Sequence, residues 1–346
     1  MGKGSRRKLF SLLFFFAVMA LTFWYVFRDE NLYQVLDYLT DADLRYVIPA
    51  VGAVVAFILG ESVVLWYLLR QLGTPSSFWH CALYSFIGFF YSAITPSASG
   101  GQPMQVVAMR RDKIPGAVST VMLAIVTVTY KLVLVLIGVV VLLFRPQPII
   151  GYLEEVEALM YVGLALNIIA ISALLTLVFH PAVIRKAVRL GVRLVHKIRP
   201  FKDLEKASAR WEASINQYSG TAAFFRQKPR IILRVFLITL VQRFCLFSVV
   251  WFTYMAFGLS GQSAIVITVL YGMISVAVDM LPLPGGMGIS ETLFLVIFGP
   301  VFGQELVLPG MLVCRGLSYY TQLIISGLMT GVSQFVIRDK EKSSTR

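Results

Sequence analysis

Two glycine–proline breaks interrupt otherwise apolar sequence, one in each half of the chain. The first runs Thr95-Pro96-Ser97-Ala98-Ser99-Gly100-Gly101-Gln102-Pro103, the second Leu281-Pro282-Leu283-Pro284-Gly285-Gly286-Met287-Gly288. Glycine and proline end helices, the one by its backbone entropy, the other by its missing donor and its ring. Broken backbone at membrane depth persists only where protein covers it or where it lines a wet cavity. A matched pair of such breaks is the sequence pointer to a transport site built from two repeats.

That argument requires a membrane chain, and composition supplies it. Of 346 residues, 58% are hydrophobic and only 14% charged, with mean hydropathy +0.77; a soluble domain carries about a quarter charged residues. Apolar runs long enough to span a bilayer are Leu9–Phe27, Tyr46–Leu69, Ala117–Phe144, Val156–Phe179, Ile231–Phe257 and Val307–Ile337. Phe78–Met109 and Ser263–Phe302 contain the breaks. The first run follows a basic N-terminus and is followed by Trp24, Tyr25, Phe27 and Arg28 rather than a small-residue cleavage site, so it reads as a retained span.

Loop charges set the sidedness. Lys3, Arg6, Arg7 and Lys8 place the N-terminus in the cytoplasm, and the acidic loop Asp29 to Asp43 lies outside. Arg70, Arg110, Arg111 and Lys113 flank the first broken region on the inside, so it enters and returns as a hairpin. Glu154, Glu155 and Glu157 fall outside, and the basic 180–230 stretch and Arg338, Lys340, Lys342 and Arg346 inside. The second broken region then enters and leaves from the outside. The expected fold is an all-α polytopic membrane protein. It has six spanning helices and two re-entrant helical hairpins in an inverted-topology repeat, both termini being cytoplasmic. It forms a single integral membrane domain, with repeat 1 over about 46–144, a basic linker over about 180–230 and repeat 2 over about 231–337.

Six ionisable residues lie within apolar sequence: Glu61, Lys131, Arg243, Asp279, Glu291 and Arg315. Each would cost roughly 2.5–3.5 kcal/mol at a helix centre. They must therefore pair with one another or face a polar cavity, and a set of structural ion pairs is the plain alternative to a ligand site. Glu61 and Arg243 precede the two Gly-Gly pairs by similar intervals, and Lys131 and Arg315 follow them by similar intervals. At the hairpin tips, Gly100, Gly101 and Gln102 and Pro284, Gly285, Gly286 and Gly288 offer backbone donors beside short helices, an arrangement that suits a phosphate or carboxylate. Tyr319 and Tyr320, one turn beyond Arg315, are placed to cap the cavity.

The remaining features exclude other classes. Cys81, Cys245 and Cys314 form no Cys-x-x-Cys pair, and His80, His180 and His196 form no metal set. The net charge of +13 is concentrated between His180 and Arg230, in a cytoplasmic loop whose 183–197 stretch reads as a basic amphipathic helix on anionic inner-leaflet headgroups; no nucleic-acid module surrounds it. Neither a catalytic triad nor a nucleotide loop is visible, and no cofactor is implied.

Thr95-Pro96 through Gly100-Gly101-Gln102-Pro103, Pro284-Gly285-Gly286-x-Gly288-x-x-Glu291, and Arg315 with Tyr319-Tyr320 resemble the flippase-like membrane domain of lysylphosphatidylglycerol synthases, over about residues 8–338. The resemblance implies a lipid translocator of a bacterial cytoplasmic membrane. Its cargo would be a phospholipid such as an aminoacylated phosphatidylglycerol, or a related anionic or polyprenyl lipid. In the family this activity lowers the surface's negative charge and gives resistance to cationic peptides. Two other readings stay open: a non-transporting partner of a separate lipid-modifying or glycosyltransferase enzyme, and a transporter of a water-soluble solute. A homo-oligomer is compatible with all three. The full-length synthases carry a cytoplasmic transferase, and this chain is expected not to be an enzyme. Purified protein supplied with lysyl-tRNA and phosphatidylglycerol should form no lysylated lipid, and formation of that lipid would overturn the expectation.

Overall fold

In the computed structural model, residues 37–38, 40, 42–74, 76–95, 98–180, 204–281 and 288–337 are described. The first expected span, the amphipathic 183–197 stretch, Pro284, Gly285 and Gly286 lie outside them. The described residues are helical and contain no strand.

The helices are α1 (Leu44–Gln71), α2 (Phe78–Ala93), α3 (Gly101–Arg111), α4 (Gly116–Phe144), α5 (Glu157–Phe179), α6 (Leu204–Gln227), α7 (Pro229–Ala256), α8 (Ala264–Val278), α9 (Ile289–Phe302), α10 (Val307–Arg315) and α11 (Thr321–Val336). A π-helical turn, Gly316–Tyr320, joins α10 to α11. Helices α1, α4, α5 and α7 are each long and apolar enough to cross a membrane. Among the described residues, expected span ends agree with the helix ends to within a few residues. The last expected span is a single helical path that includes the π turn.

Local chemistry sets these boundaries. Asp43 caps α1 by accepting from the Arg45 N–H at 2.9 Å, and Ser77 caps α2 by accepting from the His80 N–H at 3.2 Å. Pro229 opens α7, where its missing donor costs nothing. Gly288 sits at φ +86°, in the left-handed region that favours glycine, and its N–H donates to the Glu291 carboxylate three residues on.

The broken regions fold as pairs of short helices. Helix α2 has 16 residues and α3 has 11. At about 1.5 Å per residue neither reaches across a core about 30 Å thick. Asp112, just past the end of α3, accepts from Tyr84 and lies 2.7 Å from Nδ1 of His80, at the start of α2. That clasp holds the two ends of the pair at one level, so the chain leaves the hairpin where it entered. Helices α8 and α9, with 15 and 14 residues, are equally short.

The apolar core has two levels. One is built from Ala50 to Ile58 of α1, Val133 to Leu142 of α4, Phe247 to Tyr254 of α7, and buried residues of α8 to α10. The other uses Val64 to Leu69 of α1, Val118 to Ile125 of α4, Ile231 and Val235 of α7, and Tyr218, Ala222 and Phe225 of α6. Helix α6 therefore docks on the bundle by an apolar face of an otherwise polar helix. Between the two levels lie Glu61, Lys131 and Arg243, the last two at the midpoints of their helices.

Close packing fixes α5 against the second hairpin. A Cβ at Gly163 would lie 2.5 Å from the carbonyl oxygen of Val276 and 2.6 Å from Cα of Ala277, both backbone atoms that cannot swing away. Gly163→Leu should therefore destabilise by at least the roughly 1–3 kcal/mol of overpacking, read as a lowered melting temperature in detergent. Gly220→Ala on α6, with nothing within 4 Å of the new Cβ, should be neutral or stabilising by up to about 1 kcal/mol. Equal effects at both positions would contradict this packing.

Candidate functional site

The seam between the two apolar levels carries a connected polar network. Its first member is Glu61 on α1, which accepts from the Gln105 side-chain amide on α3 at 2.6 Å. Gln105 is buried in the first hairpin against Gly88 of α2, where any side chain would collide with the amide. Glycine at 88 thus opens the space through which the hairpin reaches Glu61.

Arg243 on α7 is the second member. Its guanidinium carbon lies 3.5 Å from the Tyr130 ring centroid and 5.0 Å from that of Phe57, so the cation is held between two aromatic faces. Glu61 acts on it electrostatically without bonding to it. Arg243 Nε is buried with no hydrogen-bond partner, and no carboxylate forms an ion pair with the guanidinium among the described residues. Gln242, its neighbour, bridges instead to the Phe57 carbonyl on α1 at 2.9 Å. Gly60 makes room for that crossing, since a Cβ there would meet Gln242 Cγ at 2.7 Å.

Tyr130 joins this half of the network to the other. Its ring supports Arg243 and its hydroxyl donates to Asp279, just past the end of α8. Lys131 donates to the second Asp279 oxygen at 2.5 Å and to Asn167 of α5 at 3.4 Å. Asn167 in turn donates to the Val276 carbonyl at 3.1 Å, satisfying an acceptor in the last turn of α8 that the broken helix would leave open. Met280 Sδ lies 2.9 Å from the Lys131 ammonium. Lys131 is only 8% exposed, so its charge depends on Asp279.

A second ion pair, Glu291 with Arg315, lies against a cavity of about 180 Å³. Glu291 bonds both the Arg315 guanidinium and the Gly288 N–H, so one carboxylate starts α9 and pairs the cation. The cavity is lined by polar Ser275, Ser290 and Gln322 and by apolar Phe294 and Met311. It is smaller than drug-sized pockets of roughly 300–1,000 Å³, and so admits a small polar group at most. Arg315 immediately precedes the π turn, a feature common at functional sites. The Arg315 guanidinium carbon lies 5.4 Å from the Tyr319 ring centroid, and the Tyr319 hydroxyl donates to the Ala93 carbonyl of the first hairpin at 3.0 Å. Tyr319 therefore ties the π turn to the first hairpin, besides lining the cavity.

All six ionisable residues singled out in the sequence thus fall into these two groups: Glu61, Arg243, Lys131 and Asp279 in the first, Glu291 and Arg315 in the second. Two of the hairpin-tip donors among the described residues are occupied. The Gly100 N–H donates to Thr95 Oγ1 at 2.9 Å and that of Gly288 to Glu291. Gly101 serves close packing, because a Cβ there would lie 2.6 Å from the Gly88 carbonyl oxygen, and the Gln102 amide donates to Thr127. Tyr130, Gln105 and Asn167 were missed in the sequence. Asn167 left a signal, as a lone amide in the apolar run Val156–Phe179; Tyr130 left none, one aromatic among many.

A family model described as the lysylphosphatidylglycerol synthase TM region matches residues 9–326 of the chain. No curated protein matches it.

The Lys131–Asp279 pair gives a stability test with a defined sign. Removing one partner of a buried pair costs about 3–5 kcal/mol, whereas replacing both by apolar groups of similar size is close to neutral. Asp279→Asn should therefore lower the melting temperature in detergent more than Lys131→Met/Asp279→Leu does. A double variant as unstable as the sum of the singles would show that the two residues do not interact.

Proposed function

Because this chain belongs to the family of the lysylphosphatidylglycerol synthase TM region, we propose that it is a membrane lipid translocator that admits an anionic phospholipid headgroup between its two broken-helix pairs. The observation that carries this reading is Arg243: a guanidinium in the seam of a membrane domain, stacked between Phe57 and Tyr130, with no bonded counter-ion among the described residues. A cation in that position is stabilised by an anion, and guanidinium matches a phosphodiester through two parallel hydrogen bonds. Lys131 and Arg315 already pair with Asp279 and Glu291. They hold the second hairpin in place and leave Arg243 to receive the phosphate, while the acyl chains stay in the bilayer.

The order long helix, short pair, long helix occurs twice, in α1–α4 and in α7–α11. This supports the repeat part of the inverted-repeat reading; six spans, cytoplasmic termini and a bacterial cytoplasmic membrane are proposed with it from the loop charges and the family. Glu61 and Arg243 are counterparts in the two repeats and act on each other across the seam, as residues near a pseudo-twofold axis would. Rocking one repeat against the other would then open the Arg243 site to each leaflet in turn. The proposed activity is lipid movement without aminoacyl transfer, for a phospholipid such as an aminoacylated phosphatidylglycerol.

The test is headgroup translocation in proteoliposomes, with labelled phosphatidylglycerol and its lysylated form. A charge-assisted hydrogen bond contributes about 1.5–3 kcal/mol, so Arg243→Ala should slow translocation by roughly tenfold or more while the protein stays folded. Translocation at the wild-type rate by Arg243→Ala would refute the assignment.

A further inference from the structure

The four charges of the first network balance: Glu61 and Asp279 against Arg243 and Lys131. A phosphodiester arriving at Arg243 adds one negative charge, and an uncompensated charge in an apolar surround costs several kcal/mol. A proton taken up by one of the two carboxylates removes that cost. The carboxylates differ in what a proton would disrupt.

Asp279 accepts from the Lys131 ammonium at 2.5 Å and from the Tyr130 hydroxyl. Neutralising it would leave a cation that is only 8% exposed without its partner. Glu61 accepts from the neutral amide of Gln105, at 2.6 Å. A protonated carboxyl keeps a carbonyl oxygen that accepts the same bond, so Glu61 can take a proton with its hydrogen bond intact. The charged group acting on Glu61 among the described residues is Arg243 of α7. Helix α3 presents the neutral Gln105, α4 carries Lys131, which acts on Arg243, and α2, α11 and the π turn carry no Asp, Glu, Lys or Arg.

We infer that phosphate binding at Arg243 is coupled to protonation of Glu61, so that an anionic headgroup moves together with one proton. This rests on the lipid-translocator reading above. The balance is simple. A proton from water adds to Oε2 or Oε1 of Glu61 as the phosphodiester anion enters, and both leave on the other side, so net charge in the seam is unchanged. Once the phosphate has taken the guanidinium, Glu61 loses the cation that compensated it; this makes the two events cooperative in either order.

Proton uptake on binding tests this directly. The full chain in phosphatidylcholine nanodiscs would be titrated calorimetrically at pH 7 with dihexanoyl phosphatidylglycerol, in buffers of differing ionisation enthalpy, so that the dependence of heat on buffer counts protons taken up per lipid bound. The expected result is uptake approaching one proton per lipid for wild type. Glu61→Gln, which preserves shape and can still bond Gln105, should bind the lipid with no proton uptake, and Arg243→Ala should lose binding. Wild-type binding without proton uptake, or undiminished uptake in Glu61→Gln, would overturn the coupling and leave the translocator reading standing. Absence of binding by folded wild type would overturn the headgroup site and the coupling with it.

Discussion

Everything in this structure depends on how six charges are kept in a low-dielectric interior. Charges at helix centres are tolerated when partnered, and here partnership is what holds broken backbone in place. Asp279 follows the last turn of α8, Lys131 reaches it from α4, and Asn167 from α5 satisfies the open carbonyl beside it. Glu291 plays the matching part for α9, bonding its first N–H and Arg315 with one carboxylate. The second hairpin is therefore pinned at both limbs by an ion pair that also finishes a helix end. The first hairpin is secured by the Gln105 bond to Glu61, by Tyr319 to Ala93, and by the His80–Asp112–Tyr84 clasp at its base.

Against this background Arg243 is the exception. Aromatic faces support its charge but do not neutralise it, and the nearby Glu61 is bonded to Gln105 instead. Cation–π contact contributes about 2 kcal/mol when desolvated, less than the several kcal/mol that burying an ion costs. The difference is a standing preference for an anion at one defined point, midway along α7 and between the two apolar levels of the core. Tyr130 makes that point sensitive to the second hairpin, because its ring lies under Arg243 while its hydroxyl holds Asp279. A ligand that shifts Arg243 therefore bears on the end of α8 through a single side chain.

The outline of this arrangement was legible in the sequence because its causes are local. Glycine and proline break helices wherever they fall, and a charge inside an apolar run must be accommodated somewhere, so both broken regions and all six ionisable residues could be named from residue type and spacing. The pairing could not, because it depends on which helix faces cross. Nothing in the sequence says that Lys131 meets Asp279 rather than Glu61, or that Gly88 and Gly60 are small to admit Gln105 and Gln242. The occupants of two hairpin-tip donors were hidden for a related reason. Gly100 and Gly288 do present N–H groups, but Thr95 and Glu291, both close in sequence, take them first.

The central claim is that Arg243 receives a phosphate. The most direct measurement is a dipolar contact between ³¹P of phosphatidylglycerol and ¹⁵N of arginine guanidinium groups, by solid-state magnetic resonance of the protein in bilayers. The account predicts a guanidinium signal dephased by phosphorus at direct hydrogen-bond distance, roughly 4 Å or less from nitrogen to phosphorus given N–H···O geometry, and lost in Arg243→Lys while other arginine signals persist. An unchanged phosphorus contact in Arg243→Lys, or none in the wild-type protein under conditions where it moves lipid, would contradict it.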